Sequence, residues 1–206
     1  MSSLPRGLYA ITPDEKDTAR LLEQVGAAIK GGVAVLQYRH KGASAELKRE
    51  QAAALLPLCR AAKLPLIIND DLWLVMELDA DGLHLGGEDG CIATARKTLG
   101  PNKLLGSSCY GSIERALAAK TAGADHIAFG AMFPSLTKPH AKQPSLDVFA
   151  QAREQVGLPA VGIGGITLDN APQLIAAGAH AIAVITALFD APDISERARA
   201  FKKLFA

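Results

Sequence analysis

Apolar residues along this chain fall into short continuous runs, separated by longer stretches with helical spacing, and the alternation repeats from end to end. A helical stretch closes on glycine and a run rich in Val, Ile and Leu follows. IKGGVAVLQ, LDADGLHLG, TAGADHIAFG and AAGAHAIAVIT are the clearest copies. Glycine just past a helix C-terminus supplies the left-handed conformation that a β-carbon disfavours. The run behind it is apolar throughout, as expected of a parallel strand covered by helices. Eight runs of this kind occur: GLYAIT (7–12), VAVLQYR (33–39), PLIIND (65–70), GLHLG (82–86), LLGSSC (104–109), HIAFGAM (126–132), PAVGIGGI (159–166) and AIAVITA (181–187). The segments between them read as helices. Residues 44–63 are rich in Ala, Leu, Lys and Glu, with Pro57 as a candidate kink. Residues 112–123 open on Ser112 as N-cap, and 168–178 on Asp169, with Pro172 in the first turn.

Eight strand–helix units in 206 residues average about 25 residues each, at the short end of the range for a closed barrel. The expected fold is α/β, a single (β/α)8 TIM barrel occupying residues 1–206 as one domain. The competing arrangement, an open doubly wound sheet, calls for GxGxxG after the first strand; this chain has ITPDEKD there.

Composition narrows the class of partner. Hydrophobic residues make up 49% and charged residues 21%, enough for a full core. A net charge of +1 argues against nucleic acid or a polybasic membrane surface as partner. Cys59, Cys91 and Cys109 are widely spaced and form no CxxC, which predicts reduced thiols. No apolar run approaches the ~20 residues of a membrane helix. The N-terminal MSSLPRGLYAIT lacks the apolar stretch of a signal peptide. These features predict a cytoplasmic protein that acts on small molecules and leave a homo-oligomer open.

In a barrel of this type the working face lies at the C-terminal ends of the strands, and polar residues collect there. Strand alternation puts Gln37, Arg39 and Lys41 on one face and Tyr38 and His40 on the other. The third strand ends in Asn69-Asp70-Asp71, the fourth runs into GGEDG with Glu88 and Asp89, and the fifth ends in Ser107-Ser108. The sixth runs into FPSLTKPH, the seventh into Gly164-Gly165, and the eighth ends at Ile185-Thr186. Gly164 and Gly165 suit either a phosphate cradle or a tight turn with positive φ. Asp70 and Asp89 follow neighbouring strands and can share a hard cation such as Mg²⁺, whereas Asp71 suits a helix cap. Arg39, Lys41 and Lys138 need a counter-charge. Two carboxylates with three cations suit Mg²⁺ and a pyrophosphate. His84 reads as a core residue, His126 and His180 as residues of the opposite, structural end, and His140 as near the site. No HExxH, GxSxG or P-loop is present.

With these residues in place, the chain resembles the thiamine phosphate synthase family from LYAIT (8–12) to AVITALF (183–189), through LQYRHKG, IINDD, GLHLGGED, LGSS, FPSLTK and VGIGGIT. The resemblance implies a coupling reaction in which an aminopyrimidine methyl diphosphate loses pyrophosphate and the nitrogen of a thiazole phosphate takes its place. It implies that Gln37, Arg39, Lys41 and Asn69 contact the pyrimidine diphosphate, with Tyr38 and His40 in the same stretch. Asp70 and Asp89 are the implied Mg²⁺ ligands. Ser108 and Lys138 are further diphosphate or pyrimidine contacts, so Arg39, Lys41, Ser108 and Lys138 form the implied catalytic set. Ser135, Leu136, Thr137, Gly165, Ile185 and Thr186 are the implied thiazole phosphate contacts. Three departures stand out: Gly87 where many relatives have Gln, Ser135 where many have Thr, and Cys109-Tyr110 in place of Ala-His.

Other activities fit the same barrel. A paralogous thiazole tautomerase uses a histidine after the fifth strand, where this chain has Cys109 and Tyr110. A non-catalytic sensor of a phosphate ligand has no use for the Mg²⁺ acids together with Arg39 and Lys138. A metal-dependent sugar-phosphate epimerase wants paired histidines and aspartates at strand ends, and only His84 is so placed.

Overall fold

All eight expected strands are present, and they pair in parallel in sequence order until β8 returns to β1 and closes the barrel. The structure is a computed structural model and describes residues 3–87, 89–134 and 143–206. The strands are β1 (Gly7–Ile11), β2 (Val35–Tyr38), β3 (Leu66–Asn69), β4 (Gly82–Leu85), β5 (Leu104–Tyr110), β6 (His126–Phe129), β7 (Ala160–Ile163) and β8 (Ala181–Val184). Between and after them run α1 (Thr18–Gly31), α2 (Ala45–Ala61), α3 (Leu72–Leu78), α4 (Ile92–Leu99), α5 (Ile113–Thr121), α6 (Asp147–Gln151), α7 (Ala171–Ala176), α8 (Thr186–Phe189) and α9 (Ile194–Lys203). Helix α6 continues as a π turn over Ala152–Val156.

Strand period two splits the core into two layers. Tyr9, Ile11, Val35, Ile67, Leu104, Val161 and Ala183 fill the barrel interior. Their strand neighbours Leu8, Leu36, Ile68, Leu105 and Ile182 pack outward against the helices. Most of these strands read as unbroken apolar runs because both faces are covered.

The helix boundaries follow local chemistry. Ser44, Asp71 and Ser112 accept hydrogen bonds from the third residue on (Leu47, Leu74 and Arg115 N–H), capping α2, α3 and α5. Helix α2 runs through Pro57. The cap expected at Asp169 is corrected: α7 begins after Asn170, whose Oδ1 accepts the Thr167 N–H at 2.8 Å. The alternation expected to run from Gln37 to Lys41 is also corrected, because β2 ends at Tyr38 and the chain turns there. Among the described residues no helix is long and apolar enough to cross a membrane.

Candidate active site at the barrel mouth

The loop after β2 carries the cations, and the loop after β1 holds it in place. Thr12 Oγ1 donates to the Arg39 carbonyl and accepts the Arg39 N–H, both at 2.9 Å. Asp14 accepts the Lys41 N–H at 3.1 Å and lies 3.8 Å from both the Arg39 guanidinium and His40 Nδ1. Sequence reading passed over Thr12 and Asp14, because a single hydroxyl and a single acid after a strand carry no signature until the partner loop is beside them. His40 is buried, and among the described residues neither ring nitrogen has a hydrogen-bond partner.

The carboxylates meet over the β4–α4 turn. Asp70 adopts a left-handed backbone (φ 62°) and its N–H donates to the His84 carbonyl at 2.9 Å, so the side chain leaves the strand end toward β4. Its Oδ1 accepts the Gly86 N–H at 3.3 Å and its Oδ2 accepts Asn69 Nδ2 at 2.6 Å. The Asp89 carboxylate packs against Gly86, occupying the place where a β-carbon would lie. Burial pushes the Asp70 carboxyl up, the Gly86 N–H opposes this, the Asp89 charge adds to it, and Asn69 and the Lys41 ammonium pull it down. A partly desolvated carboxylate with a second carboxylate beside it is a suitable donor pair for a hard cation. Among the described residues no cluster of three or more His, Cys, Asp or Glu forms a cage.

Tyr38, Arg39, His40, Lys41, Asn69 and Asp70 line one cavity of about 470 Å³ between the ends of β2 and β3. Tyr38 contributes less than expected. Its side chain turns outward and its hydroxyl donates to Gln51 of α2 at 2.9 Å. Gln37 faces inward and is 3% exposed, its amide donating to the Tyr9 hydroxyl at 2.8 Å. Ser108 also faces the interior, with Oγ 3.0 Å from His84 Nε2. Burial pulls the His84 imidazole down to about 4, so it is neutral at physiological pH. His126, expected at the structural end, is corrected: it is fully buried inside the barrel, its ring 5.8 Å from that of His84. His180 does serve the opposite end, with Nε2 2.8 Å from the Leu4 carbonyl.

On the far side of the mouth, Gly164 and Gly165 have φ of 99° and 62°. A β-carbon on Gly165 would lie 2.5 Å from the Pro134 carbonyl oxygen. Glycine is therefore required there by the backbone and by the close passage of the β6 loop. Ile185 precedes α8, which starts at Thr186 directly above β8. Ser135, Leu136, Thr137 and Lys138 lie outside the described residues, as do Glu88 and His140.

The departures at Gly87 and Tyr110 are one feature. Tyr110 has a left-handed backbone (φ 59°), its ring lies 5.1 Å from the Arg115 guanidinium carbon, and a β-carbon at Gly87 would come within 2.5 Å of that ring. The stack fills the space that a larger residue at position 87 would need. Cys59 and Cys109 are buried, which pushes their thiols up to about 12 and about 11, so both stay protonated.

A family model described as thiamine monophosphate synthase matches residues 8–188, most of the chain. The chain belongs to this family. The thiamine-phosphate synthase of Methylobacillus flagellatus is 57% identical over 205 residues, covering 98% of each chain. That of Aromatoleum aromaticum is 52% identical over 200 residues, covering 97% of this chain and 96% of its own. In three dimensions the barrel is similar to thiamine phosphate pyrophosphorylase from Pyrococcus furiosus, with a TM-score of 0.85 and 33% identity over 96% of this chain and 94% of that one. Family membership makes this chain a transferase that releases pyrophosphate and acts on small-molecule substrates.

Proposed function

We propose that this chain is a Mg²⁺-dependent thiamine-phosphate synthase, joining an aminopyrimidine methyl diphosphate to a thiazole phosphate. The carbon–oxygen bond to the diphosphate breaks, pyrophosphate leaves with the electron pair, and the thiazole nitrogen forms the new carbon–nitrogen bond. The observation that carries the reading is that Asp70 shares one cavity with Arg39 and Lys41, while Asp89 packs against Gly86 and raises the Asp70 carboxyl from beside it. Mg²⁺ held by Asp70 and Asp89 supplies positive charge to the diphosphate when bound.

The remaining work belongs to the chain. Arg39 and Lys41 face the charge that develops on the leaving group, and Thr12 and Asp14 fix the loop that carries them, so little reorganisation accompanies bond breaking. Asn69, braced on Asp70, lies beside the same diphosphate. Ser108, Gln37 and the neutral His84 form the polar floor against which an aminopyrimidine can be oriented. Gly165, Ile185 and Thr186 are the proposed thiazole phosphate contacts at the ends of β7 and β8. The proposed roles of Ser135, Leu136, Thr137 and Lys138 rest on the FPSLTK motif. The aminopyrimidine stabilises cation character at the methylene carbon, so positioning and electrostatics suffice and no general base is needed. The free cysteines suit a reducing cytoplasm.

Purified protein given both substrates with Mg²⁺ should release pyrophosphate and form thiamine phosphate, and a chelator should stop both. Folded protein that binds thiazole phosphate but releases no pyrophosphate would overturn the reading.

A further inference from the structure

We propose that Lys48 is a further binding residue for the diphosphate, completing a three-cation wall with Arg39 and Lys41. The inference rests on the synthase reading and extends it to a residue outside the motifs. Lys48 lies in the first turn of α2 and lines the same cavity as Arg39, Lys41, Asn69 and Asp70. It is half-buried, yet among the described residues its ammonium has no carboxylate within ion-pair distance and no side-chain hydrogen bond. Its neighbours in charge are already committed. Arg49, one residue on, pairs with Glu77. Asp71, which also lines the cavity, caps α3 through the Leu74 N–H.

A partly desolvated cation with no partner is unfavourable unless an anion arrives. His40, on the same cavity wall, already has Asp14 3.8 Å from its Nδ1, so Lys48 is the cation there without a carboxylate nearby among the described residues. A diphosphate carries more negative charge than Arg39 and Lys41 would neutralise between them, and Lys48, on the same cavity, is positioned to meet it as a point charge. Trp73, at the rim of the same cavity, is 78% exposed.

The test is Lys48→Gln and Lys48→Arg in the pyrophosphate-release assay with Mg²⁺, using inorganic pyrophosphate as a product inhibitor. Loss of one charge-assisted contact predicts about a tenfold rise in KM for the pyrimidine diphosphate in Lys48→Gln, with the pyrophosphate inhibition constant raised by about the same factor. KM for thiazole phosphate should stay unchanged, and Lys48→Arg should recover most of the loss. Unaltered KM and pyrophosphate inhibition in Lys48→Gln would overturn the inference, as would an equal rise in KM for both substrates. If wild-type protein released no pyrophosphate, the synthase reading would fail separately. Titration of wild type and Lys48→Gln with Mg²⁺ and pyrophosphate would then still test the site: weaker binding to Lys48→Gln supports it and equal binding overturns it.

Discussion

Gly86 carries more of this site than its lack of a side chain suggests. Its N–H holds Asp70, and the space beside its α-carbon holds Asp89. Gly86→Ala should push Asp89 away from Asp70 while leaving the barrel folded. A misplacement of this kind, about 1 Å, predicts roughly a hundredfold loss of turnover and a rise in the Mg²⁺ concentration needed for half-maximal rate. Steady-state kinetics over a Mg²⁺ series checks this; an unchanged Mg²⁺ requirement would remove Gly86 from that role. Asp14 acts on the opposite wall. Asp14→Ala should cost about 1 kcal/mol of stability through the lost Lys41 N–H bond. Its larger effect should be on the KM for the pyrimidine diphosphate, with KM for thiazole phosphate unaffected. Denaturant unfolding and a two-substrate KM comparison measure the two effects independently.

At the scale of elements, one side chain far from the mouth ties two connections together. Arg96 of α4 donates to the carbonyls of Gly123 (2.9 Å), Gly100 (2.6 Å) and Lys103 (2.9 Å), and pairs with Asp125. Asp125 in turn accepts the Leu105 N–H at 2.8 Å. Helix α4 is thereby fixed to the starts of β5 and β6 at the structural end of the barrel. Arg96→Met keeps the aliphatic packing but leaves these acceptors unpaired, which predicts about 2–3 kcal/mol of destabilisation and a melting point lower by about 5–10 °C. Activity per folded molecule should be unchanged at low temperature; a loss of activity without loss of stability would show that α4 acts on the site instead. The eight strands and the caps at Asp71 and Ser112 were legible in the sequence, because chain-local chemistry sets them. The Asp169 cap was misread because Asn170 offers the same turn chemistry one residue later, and only the backbone path selects between them.

For the whole molecule, the barrel interior makes stability depend on pH. Burial lowers the His84 imidazole from its ordinary 6.5 to about 4, and burial also holds His126 well below 6.5. Below the ordinary histidine pKa the unfolded chain takes up protons that the folded barrel refuses. Stability is therefore complete above pH 6.5 and falls as pH drops from 6.5 toward about 4, by up to about 1.4 kcal/mol per pH unit for each histidine. Denaturant midpoints at about pH 7.5 and about pH 5 should show the loss, and His126→Asn should reduce the slope. Equal midpoints in wild type would mean that the interior histidines protonate without unfolding. The sequence by itself determined the eightfold strand–helix period, the apolar strands and the polar residues at strand ends, since each depends on spacing along the chain. Only the tertiary structure decided that Gly86 joins Asp70 to Asp89, that Tyr110 and Arg115 occupy the space above Gly87, that Asp14 holds Arg39 and Lys41, and that Lys48 shares their cavity. The first three join residues from different βα units, and Lys48 shares its cavity with Asn69 and Asp70 of the next unit; barrel closure brings such units together in ways that spacing within one unit does not encode.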